Sequence, residues 1–155
     1  MGISIQQGLT ASGGTSMTLL ATLTTTSGTT QSLTGIAAGY REIYGELEGV
    51  SFTTASALTL ATSSTNGAAY GTAGAVSVAV GAAAGSYTGR VAIINIGSTV
   101  ANAKIASSAL WDTNGTINRS VTAVACPTNT AAVVDAIQFA GGTFDAGTIR
   151  IYGVK

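Results

Sequence analysis

Glu46 and Glu48 are the two residues whose type and spacing most invite a chemical reading. Two positions apart, they fall on one face of an extended strand, where both carboxylates can reach one cation. A pair of acids also serves glycoside hydrolysis, but there the two stand on opposite sides of a sugar cleft. With Glu42 and Arg41 close by, the pair reads better as a solvated face or a subunit-contact salt bridge. The chain has no histidine. That removes the commonest general base, the usual zinc or copper ligand and every histidine-based nucleophile triad. Cys126, the single cysteine, therefore lacks a partner to generate its thiolate, and it allows no internal disulfide. It reads as a small apolar residue buried before Pro127. Asp112, Asp135 and Asp145 are isolated and read as turn or strand-end residues.

Glycine-rich stretches are plentiful, but none carries the G-x-x-x-x-G-K-[ST] phosphate cradle. Asn114-Gly115-Thr116 and Asn118-Arg119-Ser120 match the glycosylation sequon, and with no secretion signal apparent they read as coincidences. No catalytic, cofactor-binding or metal-binding residue is assigned, and no enzymatic activity is expected. What remains is surface. Trp111, beside the Asn114-Gly115 turn signal, is a candidate interface anchor, unless it packs over the end of the fold. Tyr40 and Tyr44, sharing a face with Glu46 and Glu48, are candidates for a subunit interface or for sugar stacking.

The composition favours association. Charged residues are 8% of the chain, against about 25% in an average soluble protein. Six basic residues balance six acidic ones, so there is no basic patch for nucleic acid or an anionic membrane. The weakly polar run from Ala73 to Gly85 is broken by Ser77 and falls short of the ~20 residues a membrane span needs. A chain with near-zero net charge tends to stick to copies of itself.

These residues need a scaffold, and the period of two supplies one. Met1 to Ser16 reads as a flexible arm or an early edge segment, and 17–155 as one β domain. Strands are expected over Met17–Thr26, Gln31–Ile36, Tyr40–Ser51 and Phe52–Ala61. Over Tyr40–Ser51, Tyr40, Glu42, Tyr44, Glu46 and Glu48 share one face, and Ile43, Gly45 and Leu47 the other. Asn66-Gly67 signals a turn, and Val76 to Val80 a short strand inside a long loop. Val91 to Ile96 reads as a strand buried on both faces, partnered by Ala101 to Leu110, with Trp111 to Gly115 as the following turn. Ile117 to Val124 and Val133 to Phe139 come next, and Thr148 to Val154 closes the series. Eight to ten short strands without a helix indicate an all-β, antiparallel β-sandwich of jelly-roll type.

The closing stretch, Gly141-Gly142-Thr143-Phe144-Asp145-Ala146-Gly147-Thr148-Ile149-Arg150-Ile151-Tyr152-Gly153-Val154-Lys155, resembles the ending of small tailed-bacteriophage virion proteins. These are jelly-roll capsid decoration (cement) proteins and related fibre modules. The resemblance implies a homotrimer on the capsid surface of the virion, partnered by the major capsid protein of the phage head. Its alternative is a receptor- or carbohydrate-binding module of a tail fibre or head fibre.

Overall fold

The computed structural model describes residues 16–77, 85–100, 104–114, 117–125 and 131–155. These form ten strands and no helix: β1 (Met17–Thr24), β2 (Thr30–Leu33), β3 (Glu42–Phe52), β4 (Thr59–Ser63), β5 (Gly74–Ala75), β6 (Ser86–Ile94), β7 (Ile105–Asn114), β8 (Ile117–Ala125), β9 (Ala136–Ala140) and β10 (Phe144–Val154). One sheet has the order β1-β10-β3-β6-β7-β8, the other β2-β9-β4-β5. Every pairing is antiparallel. The sheets pack face to face as a β-sandwich, as the turn spacing predicts.

Alternation builds the core. Ile43 and Leu47 of β3, Val91 and Ile93 of β6, and Ile149 and Ile151 of β10 point inward from the larger sheet. Leu60 of β4 and Ile137 and Phe139 of β9 meet them from the smaller one. Phe52, Tyr87 and Phe144 close one part of the core, with Phe52 and Phe144 rings 4.7 Å apart. Burying each such side chain stabilises by roughly 1.5–3 kcal/mol, so this inner layer holds the sheets together.

β10 lies between β1 and β3 and pairs with both along most of its length. The expected closing strand, Thr148 to Val154, is present and begins earlier, at Phe144. Its register against β3 shifts twice, on either side of Ala146, in a bulge that includes Gly147. Gly147 has φ +97°, and a Cβ there would stand 2.6 Å from the backbone of Gly49. Gly49, with φ +62°, marks the facing irregularity in β3. Thr25 clamps the bulge: its amide donates to the Gly147 carbonyl (3.0 Å) and its hydroxyl to the Ala146 carbonyl (2.7 Å).

Several expectations need correcting. β6 is buried on one face only, because Ala92 and Ile94 point to the half-exposed outer side of the sheet. A short strand of the long loop is Gly74–Ala75, and Val76 and Ser77, the described part of the expected Val76 to Val80 strand, follow it as a bend. Val76 is buried just after it, its amide bonded to the Leu58 carbonyl (2.9 Å). Val78 and Val80 lie outside the described residues. Trp111, Asp112 and Thr113 are not a turn but strand residues of β7, which runs on to Asn114. Residues 1–15 of the expected arm, Gly115 of the Asn-Gly signal and the Cys126-Pro127 pair also lie outside the described residues.

Candidate functional site

The outer face of the six-stranded sheet gathers most of the candidate residues, and strand register explains how. In β3 the buried parity belongs to Ile43, Gly45 and Leu47, which turns Glu42, Tyr44, Glu46 and Glu48 outward. Pairing with β10 sets Arg150 opposite Glu46, and pairing with β6 sets Arg90 on its other side. A positive–negative–positive row therefore crosses three neighbouring strands. Arg90 bonds Glu46 at 3.4 Å, while Arg150 reaches diagonally to Glu48 at 2.9 Å. That contact, and the attraction of the carboxylate, raise the Arg150 pKa further. Arg90 also lies 5.5 Å above the Tyr44 ring. The Tyr44 hydroxyl donates to Glu42 at 2.5 Å, and that bond, with burial second, raises its pKa. All these groups are at least partly wet, so solvent screens each pair and its net contribution is small.

Beside this row the sheet is concave. A depression of about 620 Å³ is lined by Glu46, Leu47, Glu48, Thr88, Gly89, Arg90, Ala109 and Arg150. Two features open it. At the β3 irregularity the Gly49 amide donates to the Thr88 hydroxyl at 3.1 Å instead of continuing the ladder. Gly89, at φ +139°, brings its backbone so close to β7 that an added Cβ would stand 2.4 Å from the Ala109 carbonyl oxygen. Trp111 stands in register with Thr88 on the next strand, at the border of the depression, and is 50% exposed.

The chain matches no protein-family model, no curated protein and no solved structure. Its surface is therefore read from its own geometry. Glu46 and Glu48, expected on a solvated face or in a subunit-contact salt bridge, lie on an exposed face, and each pairs with a guanidinium of the same chain. Among the described residues no three His, Cys, Asp or Glu side chains gather as a metal site. Trp111 is exposed on a strand, so it does not cap the end of the sandwich. Tyr40 departs from the expected face. It precedes β3, and its ring packs on inward-facing Gly153 against the core, with the Lys155 ammonium 5.3 Å above it. Tyr44, Glu46, Glu48 and Trp111 thus share one surface, and Tyr40 does not.

The three aspartates divide. Asp135, just before β9, accepts from the Asn66 amide (2.8 Å), and the Asn66 side chain accepts from the Gly35 amide (2.6 Å), tying two loops together. Asp145 is in β10 and accepts from the Ser51 hydroxyl. Asp112 is not at a turn but wholly buried in β7. Lys104, just before β7, is also buried, at 1% exposure, and its ammonium donates to the Ser98 carbonyl at 2.7 Å. Burial lowers its pKa. Sequence reasoning missed both. The signal was present: carrying the period of two outward from Leu110 puts Lys104, Ala106, Ser108 and Asp112 on the buried face.

Among the described residues no helix is long and apolar enough to cross a membrane. The outer face offers alternating hydrogen-bond donors and acceptors around a shallow concavity, with one exposed aromatic beside it.

Proposed function

We propose that the chain is a bacteriophage virion structural protein, a capsid decoration protein that binds the head surface as a homotrimer and stabilises it through many neutral contacts. The observation that carries the reading is where the resemblance falls. Gly141 to Lys155 forms the turn into β10 and β10 itself, the strand on which the larger sheet depends. The likeness to virion proteins therefore involves the part of the chain that defines its architecture.

Strand order supports the jelly-roll form. Leaving out β7 and β8, the sheets read β1-β10-β3-β6 and β2-β9-β4-β5. That is the nesting of two four-stranded sheets in which first and last strands neighbour each other, as two interlocked Greek keys require. The hairpin of β7 and β8 extends one edge.

The opposite edge supports subunit contact. β1 pairs only with β10 among the described strands, and it carries no charge and no proline. Soluble proteins commonly blunt an edge with such residues, because an open edge recruits another strand. Met17 and Leu19 on β1 are exposed large hydrophobics. Repetition over a lattice turns weak contacts of this kind into firm attachment.

The test is mass and attachment together. Light scattering should give three times the chain mass of 15.2 kDa. The purified protein should bind capsids stripped of it, with an affinity nearly independent of NaCl, since neutral contacts are little screened. Leu19→Glu should reduce the trimer while leaving the circular dichroism unchanged. A stable monomer that ignores such capsids would overturn the reading.

A further inference from the structure

We propose that the depression between β3 and β6 is a binding site for a neutral saccharide, a short hexose segment of a glycan, with Trp111 as the stacking surface at its border. Three independent features converge on that ligand. The first is shape. A hollow of about 620 Å³ lies within the roughly 300–1,000 Å³ typical of small-molecule sites. Gly89 and Ala109 in its lining contribute nothing larger than a methyl group.

The second feature is charge balance. Two carboxylates and two guanidinium groups surround the hollow, and each is paired with an opposite charge. A cation would have to displace an arginine, and an anion a glutamate. A polyol has to displace neither. A guanidinium has five N–H donors and a carboxylate about four acceptor sites, and each ion pair here uses one N–H and one oxygen. Donors and acceptors thus alternate around the rim, as a hydroxyl that both gives and accepts a hydrogen bond requires. Thr88 adds a hydroxyl of its own.

The third feature is the aromatic. Trp111 is the only tryptophan in the chain and is half exposed on the same face. It stands in register with Thr88 of the lining. The C–H face of a pyranose ring is apolar and covers an indole, while its hydroxyls turn to the polar rim. This assignment does not rest on attachment to a capsid, and each can fail without the other.

The single tryptophan makes the test direct. The full chain is titrated with maltohexaose, cellohexaose and mannohexaose, each to about 10 mM, a ceiling that admits affinities weaker than those of drug-like ligands. The expected result is a saturable change in Trp111 emission with at least one of them. Calorimetry on Ala109→Leu, which fills the lining from an exposed position, and on Glu46→Gln should show binding weakened about tenfold or more, the worth of one well-made contact. Thr22→Ala, on β1 beyond Arg150, should bind as the parent does.

Three outcomes would overturn the proposal. The emission stays unchanged with all three sugars, which leaves the depression without a neutral-sugar ligand. Ala109→Leu binds as well as the parent, which places any sugar elsewhere. A heparin hexasaccharide binds more tightly than the neutral sugars, which means the guanidinium groups are available to anions and the charge argument is wrong.

Discussion

Lys104 shows what one side chain can cost and how pH exposes it. Its ammonium is held away from water against the Ser98 carbonyl, and burial lowers its pKa from the ordinary 10.5. Between the lowered value and 10.5 the unfolded chain binds more protons than the folded one, so stability rises with pH across that interval. Lys104→Met removes the titration. The difference in urea midpoint between parent and variant should therefore shift in favour of the parent as pH climbs towards 10.5. A constant difference would show that Lys104 keeps its ordinary pKa in the fold. Tyr44 titrates the opposite way: its raised pKa stabilises the fold below 10.0, and that contribution is lost as pH rises through the raised value. The outer ion pairs should matter much less. Because Glu46 and Arg90 are both well exposed, Glu46→Gln should change the unfolding free energy by less than about 1 kcal/mol, as chemical denaturation would measure.

At the scale of the element, the bulge where β10 meets β3 is the demanding place. Gly147→Ala forces a Cβ towards the Gly49 backbone at a positive φ, and should cost about 1–3 kcal/mol. Gly35→Ala is the matched comparison: its φ is +71° but nothing lies within 4 Å of the added carbon, so only the conformational part, about 1 kcal/mol, should remain. Thermal unfolding of the two variants separates strain from collision. These bulges also explain what the sequence could disclose. Alternation reveals the faces of Glu42–Leu47 and Thr148–Tyr152, since both are regular and half buried. It fails at Val91–Ile94, where small and aliphatic residues face outward and mimic a buried run. It fails at Trp111 too, because an Asn-Gly pair three residues on marks the end of the strand rather than its middle. The depression was invisible for a different reason. It depends on which residues of four strands align, and register is not written in any one of them.

Across the whole molecule, pairing joins segments far apart in the chain. β1 meets β10, β2 meets β9, and β3 meets both β6 and β10. Such topology folds slowly, in milliseconds to seconds, because long loops must close before their contacts reward them. Removing residues 149–155 takes away most of β10, the strand between β1 and β3 in the larger sheet, and leaves β1 only the Thr24–Thr148 pair. The truncated chain should lose its cooperative thermal transition, and circular dichroism would show it. A retained transition would mean that the sheets hold without β10.

The position of β10 also bears on how copies are made. Both strands that it joins leave the ribosome before it does, and they must wait as unpaired edges until it arrives. A polypeptide interrupted before β10 is left with two open edges, one on β1 and one on β3, the kind of exposed backbone by which chaperones and proteases tell a failed product from a folded one.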